Sequence, residues 1–207
     1  MRIHNVLDKI LNQEVKIRIL RFFCLNEQVL SGRQLAKELK INLVTCHKAL
    51  QELQKEGVLN LIIGGRSHLY SLNSDNYVVK KILKPLYGKE DAIYDDILSL
   101  IKRSLYRTKK PTESIALFGS LAKNKGDERS DLDILVVTSY KRDKTAVEKK
   151  FDSISSRIIG EYGIVVSPYI LSLAELKEKY QQKLPIIRDI LKTYKLIAGE
   201  PLEKIIA

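Results

Sequence analysis

Apolar positions in the first third of the chain repeat at helical spacing between short polar breaks. The longest stripe consists of Leu43, Cys46, Leu50 and Leu53. Its spacing of 3, 4 and 3 residues is that of one buried face of a helix. Asn42 is well suited to cap the start of this helix, and Gly57 is placed to end it. The pattern therefore predicts an amphipathic helix over about residues 43–56.

Two further helices are predicted before this one. Ser31 and Gln34 have the spacing of a capping box, which starts a short helix at Ser31. Residues 40–41 then form a tight turn into the longer helix. The first helix is expected over about residues 13–25, where apolar side chains again share one face. The chain thus opens with three successive helices, the last two joined by a tight turn.

A β-hairpin follows the third helix. Residues 58–63 and 66–72 are rich in strand-forming residues, and Gly64-Gly65 between them suits a two-residue turn. Helix, helix-turn-helix and hairpin in this order resemble bacterial and archaeal winged-helix DNA-binding domains over about residues 10–73. The hairpin corresponds to the wing. The resemblance implies DNA binding, although some winged helices bind other proteins instead.

The charge of this N-terminal part agrees with a polyanionic partner. The 207 residues carry 36 lysines and arginines against 25 acids, a net charge of +11. Residues 1–88 hold 14 of the basic residues and 7 of the acids, so most of the excess lies on the smaller part of the chain. Strong basic bias favours a polyanionic partner, and charge alone does not distinguish DNA from RNA or from an acidic surface. Double-stranded DNA is the partner that the winged-helix resemblance implies.

The side chains expected to contact DNA lie off the apolar stripe. In helix-turn-helix proteins the second helix of the motif enters the major groove with its N-terminal residues at the base edges. Asn and Gln pair with adenine and Thr contacts the thymine methyl group, whereas Arg and Lys more often contact phosphates. The predicted DNA-contacting residues are Arg33, Asn42, Thr45, His47, Lys48, Gln51 and Arg66. An ordinary solvated helix surface is the alternative interpretation of each.

Beyond the hairpin the pattern becomes an alternation of helices and strands. Residues 76–106 have helical periodicity, and Pro85 is expected to end or kink the first of these helices. The predicted strands are residues 113–118, 131–138 and 163–171, and the later helices are residues 143–161, 173–182 and 185–198. Such alternation is typical of an α/β (α+β) domain.

The strongest chemical signal lies between the first two of these strands. Gly119 and Ser120 follow an apolar strand, and after ten intervening residues Asp131 and Asp133 open the next one. Because side chains alternate along a strand, the two carboxylates share one face, about 6–7 Å apart. They repel by about 2–3 kcal/mol at an effective dielectric constant of about 20, and a divalent cation bound by both removes this cost. Glycine allows close approach of a ligand, and serine offers a hydroxyl group to a phosphate.

This order of Gly-Ser, loop and Asp-apolar-Asp resembles the DNA polymerase β-like nucleotidyltransferase superfamily in its minimal form. The resemblance implies a small mixed sheet and transfer of a nucleoside monophosphate from a nucleoside triphosphate to an acceptor. It implies that Asp131 and Asp133 hold a catalytic Mg²⁺ or Mn²⁺, and that Gly119 and Ser120 bind the triphosphate. The phosphate contacts expected from the intervening loop are Lys123, Lys125 and Arg129.

One feature of the family is missing from the sequence. The family usually has a third carboxylate on a later strand, where it completes the metal site or acts as general base. The predicted strand 163–171 contains no acid, and Ser167 stands about where the carboxylate is expected. Glu161 and Glu175, before and after the strand, are the nearest substitutes. Metal and nucleotide binding therefore have stronger support in the sequence than efficient transfer.

Two functions follow from these patterns. The first is a DNA-binding, Mg²⁺-dependent nucleotidyltransferase with an unknown acceptor. The alternative is a winged-helix transcription regulator whose nucleotidyltransferase-like domain is a catalytically weak or inactive sensor of nucleotide or metal. The predicted domains are residues 1–75 and 91–207, with 76–90 as a connecting helix. A homodimer and a small partner protein are open alternatives. No membrane helix or signal peptide is expected, which favours the cytoplasm.

Overall fold

The computed structural model describes residues 4–65, 67–106, 112–123 and 131–207. Helices and two separate β-sheets give an α+β fold, which confirms the fold class expected from the sequence. The chain divides into two compact units, Met1–Ile93 and Tyr94–Ala207. The domain boundaries proposed above stay a prediction. No helix in the described part of the chain is long and apolar enough to cross a membrane.

The N-terminal unit contains the three expected helices and the hairpin. Its elements are α1 (Leu7–Ile10), α2 (Glu14–Leu25), β1 (Leu30–Ser31), α3 (Gly32–Glu38), α4 (Leu43–Lys55), β2 (Leu59–Gly64) and β3 (Ser67–Leu72). α3 starts with the predicted capping box of Ser31 and Gln34. Asn42 caps α4, since its side chain accepts hydrogen bonds from the N–H groups of Val44 and Thr45. Gly57 follows α4 with a φ of +77°, as expected for a residue that ends a helix.

The core of this unit contains most of the predicted apolar stripe of α4. Cys46, Leu50 and Leu53 are buried, and Ala49 joins them. Leu43 is 38% exposed, so its assignment to the buried face is wrong. The first turn of α4 lies outside the core, and a repeat of apolar residues along the sequence does not show where the packing partner ends.

Three strands form the sheet of the N-terminal unit, in the order β1-β3-β2. β2 and β3 are antiparallel and form the predicted hairpin. Gly64 pairs with Ser67, so Gly64 belongs to β2 and the chain reverses one residue later than predicted. β1, only two residues long, pairs with Leu69 and Tyr70 of β3. A strand this short has no recognisable pattern in the sequence.

A long helix follows the hairpin and contains a π-helical turn. The turn spans Val79–Leu83, and α5 (Lys84–Leu105) continues directly from it. Pro85 was expected either to end or to kink the helix. The helix does not end there, since α5 runs through Pro85. The N–H group of Lys84 donates to the carbonyl oxygen of Val79, five residues earlier. This wider turn shifts the hydrogen-bond ladder immediately before the proline, whose ring has no N–H group to donate.

The C-terminal unit is built on a mixed sheet with the strand order β6-β5-β4-β7. Its elements after α5 are β4 (Thr112–Phe118), α6 (Gly119–Ala122), β5 (Leu132–Thr138), a 3₁₀ turn (Lys141–Asp143), α7 (Lys144–Tyr162), β6 (Val166–Ser172), α8 (Leu173–Gln181), α9 (Pro185–Thr193), β7 (Lys195–Gly199) and α10 (Leu202–Ile206). β5 and β6 are parallel, and the other two strand pairs are antiparallel. The expected small mixed sheet is therefore present.

The two faces of this sheet pack against different helices. Ile134 and Val136 of β5 pack with α5 and α7, whereas Leu135 and Val137 pack with α8, α9 and α10. Because side chains alternate along a strand, Asp133 lies on the second face. The face that carries Asp133 is thus the one covered by the last three helices.

The end of the chain differs from the prediction. The prediction of a helix over residues 185–198 is wrong after Thr193, where α9 ends. The residues that follow form β7, which pairs with β4. Gly199 therefore ends a strand instead of a helix, and α10 was not predicted. A Cβ atom at Gly199 would lie 2.1 Å from the carbonyl oxygen of Glu113, so only glycine fits where the two strands meet. Pro185 does begin α9, as expected.

Candidate functional site

The Gly-Ser turn and the two aspartates meet at one end of the central strands. Phe118, the last residue of β4, pairs with Asp133 of β5, and Asp133 pairs with Ser167 of β6. Paired residues of neighbouring strands point to the same face, so these three side chains form a row across the sheet. Gly119 follows Phe118 directly and begins α6.

Gly119 lies so close to Asp133 that no side chain fits between them. Its φ is +79°, and a Cβ atom there would be 2.0 Å from Oδ2 of Asp133. Glycine adopts such a backbone conformation at little cost, whereas other residues rarely do. The Asp133 carboxylate is therefore held directly against the backbone of the Gly-Ser turn.

The two aspartates have different surroundings. Asp131 precedes β5 and is exposed, whereas Asp133 is half-buried within the strand. Burial raises the pKa of the Asp133 carboxyl group, and the negative charge of Asp131 raises it further. A bound cation opposes both effects because it favours the charged form. Two carboxylates fit a hard divalent cation such as Mg²⁺, which takes one or two protein carboxylates together with substrate phosphates.

The remaining residues predicted to bind phosphate are described only in part. Ser120 is half-buried in α6, and Lys123 is exposed directly after this helix. Lys125 and Arg129 lie outside the described residues. The structure therefore brings Gly119, Ser120 and Lys123 together with the row that contains Asp133.

A cavity of about 390 Å³ adjoins the Gly-Ser turn. It is lined by Phe118, Gly119, Lys123, Ile186, Asp189 and Ile190. The last three of these residues belong to α9, which sequence analysis did not connect with the site. β7 pairs with β4 and follows α9 directly, so the strand pairing brings α9 beside the turn. An edge pairing of this kind leaves no motif in the sequence.

Ser167 occupies the position beside Asp133 where a third carboxylate was expected. It is half-buried and lies directly opposite Asp133 in the parallel pair. Glu175 does not replace it. Ser172, the N-cap of α8, donates its N–H group to the side chain of Glu175 and pairs with Thr138. Ser172 and Thr138 lie five residues further along their strands than Ser167 and Asp133, which is roughly 16 Å away at about 3.3 Å per residue.

The carboxylates of Glu175 and Glu161 both have other partners. Glu175 accepts hydrogen bonds from the backbone N–H of Ser172 and, at 2.9 Å, from Lys144. Glu161 is paired at 2.7 Å with Arg157 on α7, a helix that packs against the face opposite Asp133. Among the described residues, no group of three or more His, Cys, Asp or Glu side chains is arranged to hold a metal. The described site thus offers two carboxylates.

In the N-terminal unit, the residues predicted to contact DNA lie mainly on α4. Thr45, Lys48 and Gln51 are exposed, and their spacing of three residues places them on one side of the helix. Asn42 is also exposed, but its side-chain oxygen is used in the cap of α4. Only its amide nitrogen is thus available to a base.

Two other predicted contacts, Arg33 and His47, line a second cavity of about 470 Å³. Arg33 is exposed on α3. His47 is half-buried, and a Cβ atom at Gly32 would lie 2.6 Å from its ring, so His47 packs across the start of α3. The cavity lining consists of Ser31, Gly32, Arg33, His47, Ser67 and His68. Arg66 lies outside the described residues.

Solved structures that resemble parts of the chain are distant. Reduced HlyU from Vibrio cholerae is 23% identical, with a TM-score of 0.35, and the match covers 41% of this chain and 84% of HlyU. A toxin–antitoxin complex with AMP-PNP is 17% identical, with a TM-score of 0.35, covering 54% and 79%. ZitR from Lactococcus lactis in an apo form is 16% identical, with a TM-score of 0.32, covering 76% and 98%. No curated protein matches the chain.

The C-terminal unit matches a protein family directly. The sequence model of the nucleotidyltransferase domain covers residues 98–206, more than half of the chain. The match includes the Gly-Ser turn and both aspartates. Membership implies, in general terms, a nucleoside triphosphate substrate and a divalent metal. From the site geometry and this match together, the chain belongs to the nucleotidyltransferase domain family.

Proposed function

We propose that the protein binds a metal–nucleoside triphosphate at the end of the sheet that carries Asp133, and transfers the nucleoside monophosphate to an acceptor. The observation that supports this most directly is the bare backbone of Gly119 beside Asp133, where a Cβ atom would lie 2.0 Å from the carboxylate. In a chain of the nucleotidyltransferase family, this contact holds the carboxylate against the backbone of the turn, so that a metal-bound ligand at the turn would meet backbone and carboxylate together.

Each residue of the site has a distinct part in this proposal. Asp131 and Asp133 would hold Mg²⁺ or Mn²⁺, which supplies charge neutralisation for the triphosphate. The backbone of Gly119 and the hydroxyl group of Ser120 bind phosphate oxygens, and Lys123 adds a positive charge beside them. Lys125 and Arg129 stay proposed contacts of the same phosphates. Together these residues orient the α-phosphate towards an acceptor, and orientation is the main contribution to transfer of this kind.

Ser167 favours a second candidate function for the same unit. A serine hydroxyl group cannot neutralise a dication, and it is a poor general base beside an acceptor hydroxyl. With Ser167 opposite Asp133, binding of the nucleotide is better supported than rapid transfer. The second candidate is therefore a transcription regulator in which the C-terminal unit senses nucleotide or metal.

The N-terminal unit is proposed to bind double-stranded DNA in either case. Thr45, Lys48 and Gln51 present one exposed, partly basic side of α4, which suits insertion into the major groove. Arg33 and, on the wing, Arg66 would contact phosphates. A homodimer on two half-sites and a small partner protein belong to this proposal as alternatives, and a cytoplasmic location is part of it.

Transfer and binding can be separated with a labelled nucleotide. The protein would be incubated with α-³²P nucleoside triphosphates, Mg²⁺ or Mn²⁺, and a panel of protein, RNA and small-molecule acceptors. Incorporation that is lost in Asp131→Asn and Asp133→Asn, but kept in the exposed control Asp152→Asn on α7, supports the enzyme. Nucleotide-dependent DNA affinity without incorporation supports the regulator. Absence of both incorporation and nucleotide binding contradicts the proposal.

A further inference from the structure

The cavity beside the Gly-Ser turn combines apolar walls with two charged groups. Ile190 is buried, Phe118 is half-buried, and Ile186 is 44% exposed. Lys123 and Asp189, both exposed, bring one positive and one negative charge. Apolar walls with a few polar groups, at a volume of about 390 Å³, are typical of small-molecule sites.

This lining does not suit the triphosphate itself. Three of the six lining residues are apolar, and Asp189 is an anion that would repel phosphate oxygens. Lys123 is four residues after Gly119, one helical turn away, so the positive charge stands next to the Gly-Ser turn. Phosphates are therefore favoured near Gly119, whereas the side of the cavity formed by α9 suits a different part of the ligand.

The α9 side of the cavity matches a flat heteroaromatic ring. Ile186 and Ile190 are four residues apart and thus neighbours on one side of α9, where they offer apolar surface to a ring. Between them Asp189 offers a carboxylate, which only accepts hydrogen bonds. Lys192 is 3.9 Å from this carboxylate, and both side chains are exposed, so this ion pair is weak. A ligand that donates a hydrogen bond from an amino group would fit.

We infer that the cavity binds the base of the nucleotide, and that Asp189 accepts a hydrogen bond from an exocyclic amino group of that base. The inference rests on the proposed function, because it places the phosphates at Gly119. Adenine, guanine and cytosine carry such an amino group, whereas uracil has no exocyclic amino group and places a carbonyl oxygen at the C4 position, which would face the carboxylate unfavourably. Asp189 thus acts as a specificity-determining residue of the nucleotide site.

CTP and UTP provide a matched test, since the two bases have the same ring and differ only in the C4 substituent, an amino group or a carbonyl oxygen, and in the proton on the adjacent N3. Dissociation constants would be measured by equilibrium dialysis with Mg²⁺ for CTP, UTP and inorganic tripolyphosphate. The wild type is expected to prefer CTP roughly tenfold, about 1.4 kcal/mol. Asp189→Asn, whose amide can donate to a carbonyl, should abolish or reverse this preference. The control Asp152→Asn should leave it unchanged.

A second variant tests the apolar wall separately. Ile186 is partly exposed, so the variant Ile186→Ser should fold. It should weaken the binding of CTP and of UTP to the same extent and leave the binding of tripolyphosphate unchanged. If CTP, UTP and tripolyphosphate bind the wild type with equal affinity, and neither variant changes these affinities, the proposed base site is overturned. The proposal that the site binds phosphates then still stands. If no ligand binds at all, the proposed function fails, and the base site fails with it.

Discussion

Replacing Gly119 by alanine is the sharpest test of the site geometry. The new Cβ atom would be 2.0 Å from Oδ2 of Asp133, whereas ordinary contact begins at about 3.4 Å, so the two groups must separate by roughly 1.4 Å. Asp133 is held in β5 between β4 and β6, and its carboxylate must therefore turn away from the row. The backbone adds a second cost, because alanine at a φ of +79° is strained by about 1–2 kcal/mol.

Both costs appear in measurable quantities. Strain plus overpacking should lower the free energy of unfolding by about 2–5 kcal/mol, which corresponds to a fall in Tm of roughly 8–20 °C for a unit of this size. Affinity for a fluorescent nucleoside triphosphate analogue should fall at least tenfold, because backbone and carboxylate no longer face one ligand. Circular dichroism melting and fluorescence titration measure the two effects independently.

Gly160→Ala is the matched control for this substitution. Gly160 lies in α7, and a Cβ atom there has no neighbour within 4 Å, so alanine should raise stability by up to about 1 kcal/mol without affecting nucleotide binding. If Gly119→Ala keeps both its Tm and its nucleotide affinity, like this control, the contact between Gly119 and Asp133 is not a feature of the protein in solution.

Three further predictions concern other parts of the chain. Ser167→Asp should tighten Mn²⁺ binding about tenfold and increase label transfer. An unchanged Mn²⁺ affinity in calorimetry would count against the placement of Ser167 beside Asp133. Lys48→Ala should weaken DNA binding in gel-shift titrations and reduce the salt slope by about one; an unchanged slope argues against α4 as the docking helix. The N–H group of Ser172, with Lys144, holds the pKa of Glu175 at about 2, below its unfolded value near 4.5. The stabilisation of the fold by the ionised Glu175 is therefore present above about pH 4.5 and is lost as the pH falls towards 2. Glu175→Gln should therefore reduce the loss of stability between about pH 4.5 and 2 in an acid-denaturation experiment.

Structural features that depend on residues close together in the sequence were predicted correctly. Asn42 and the Ser31–Gln34 pair act through side chains that bond to the adjacent backbone, so their roles can be inferred from the sequence alone. Gly119 and Asp133 were also expected together, because a motif of fixed spacing implies that the fold brings its parts together. In each case the physical cause is local or is contained in the motif.

Features that depend on distant partners were missed. The residues of β7 can form either a helix or a strand, and pairing with β4 decides between them. The same pairing places Ile186 and Asp189 beside the Gly-Ser turn, so half of the cavity lining could not be inferred from the motif. Pro85 shows the converse: a π-helical turn immediately before it accommodates a residue that by itself predicts a break.

The last strand forms one edge of the sheet and covers β4, which would otherwise be the edge. β7 is hydrogen-bonded along β4, whose segment Ile115–Phe118 is an uninterrupted apolar run. A chain truncated after Thr193 would keep every residue of the Gly-Ser and aspartate motif but would leave the backbone of β4 open to other chains. Exposed apolar edges of this kind recruit further strands and aggregate. Shortened versions of this protein are therefore expected to become insoluble during expression, even though they contain the complete motif.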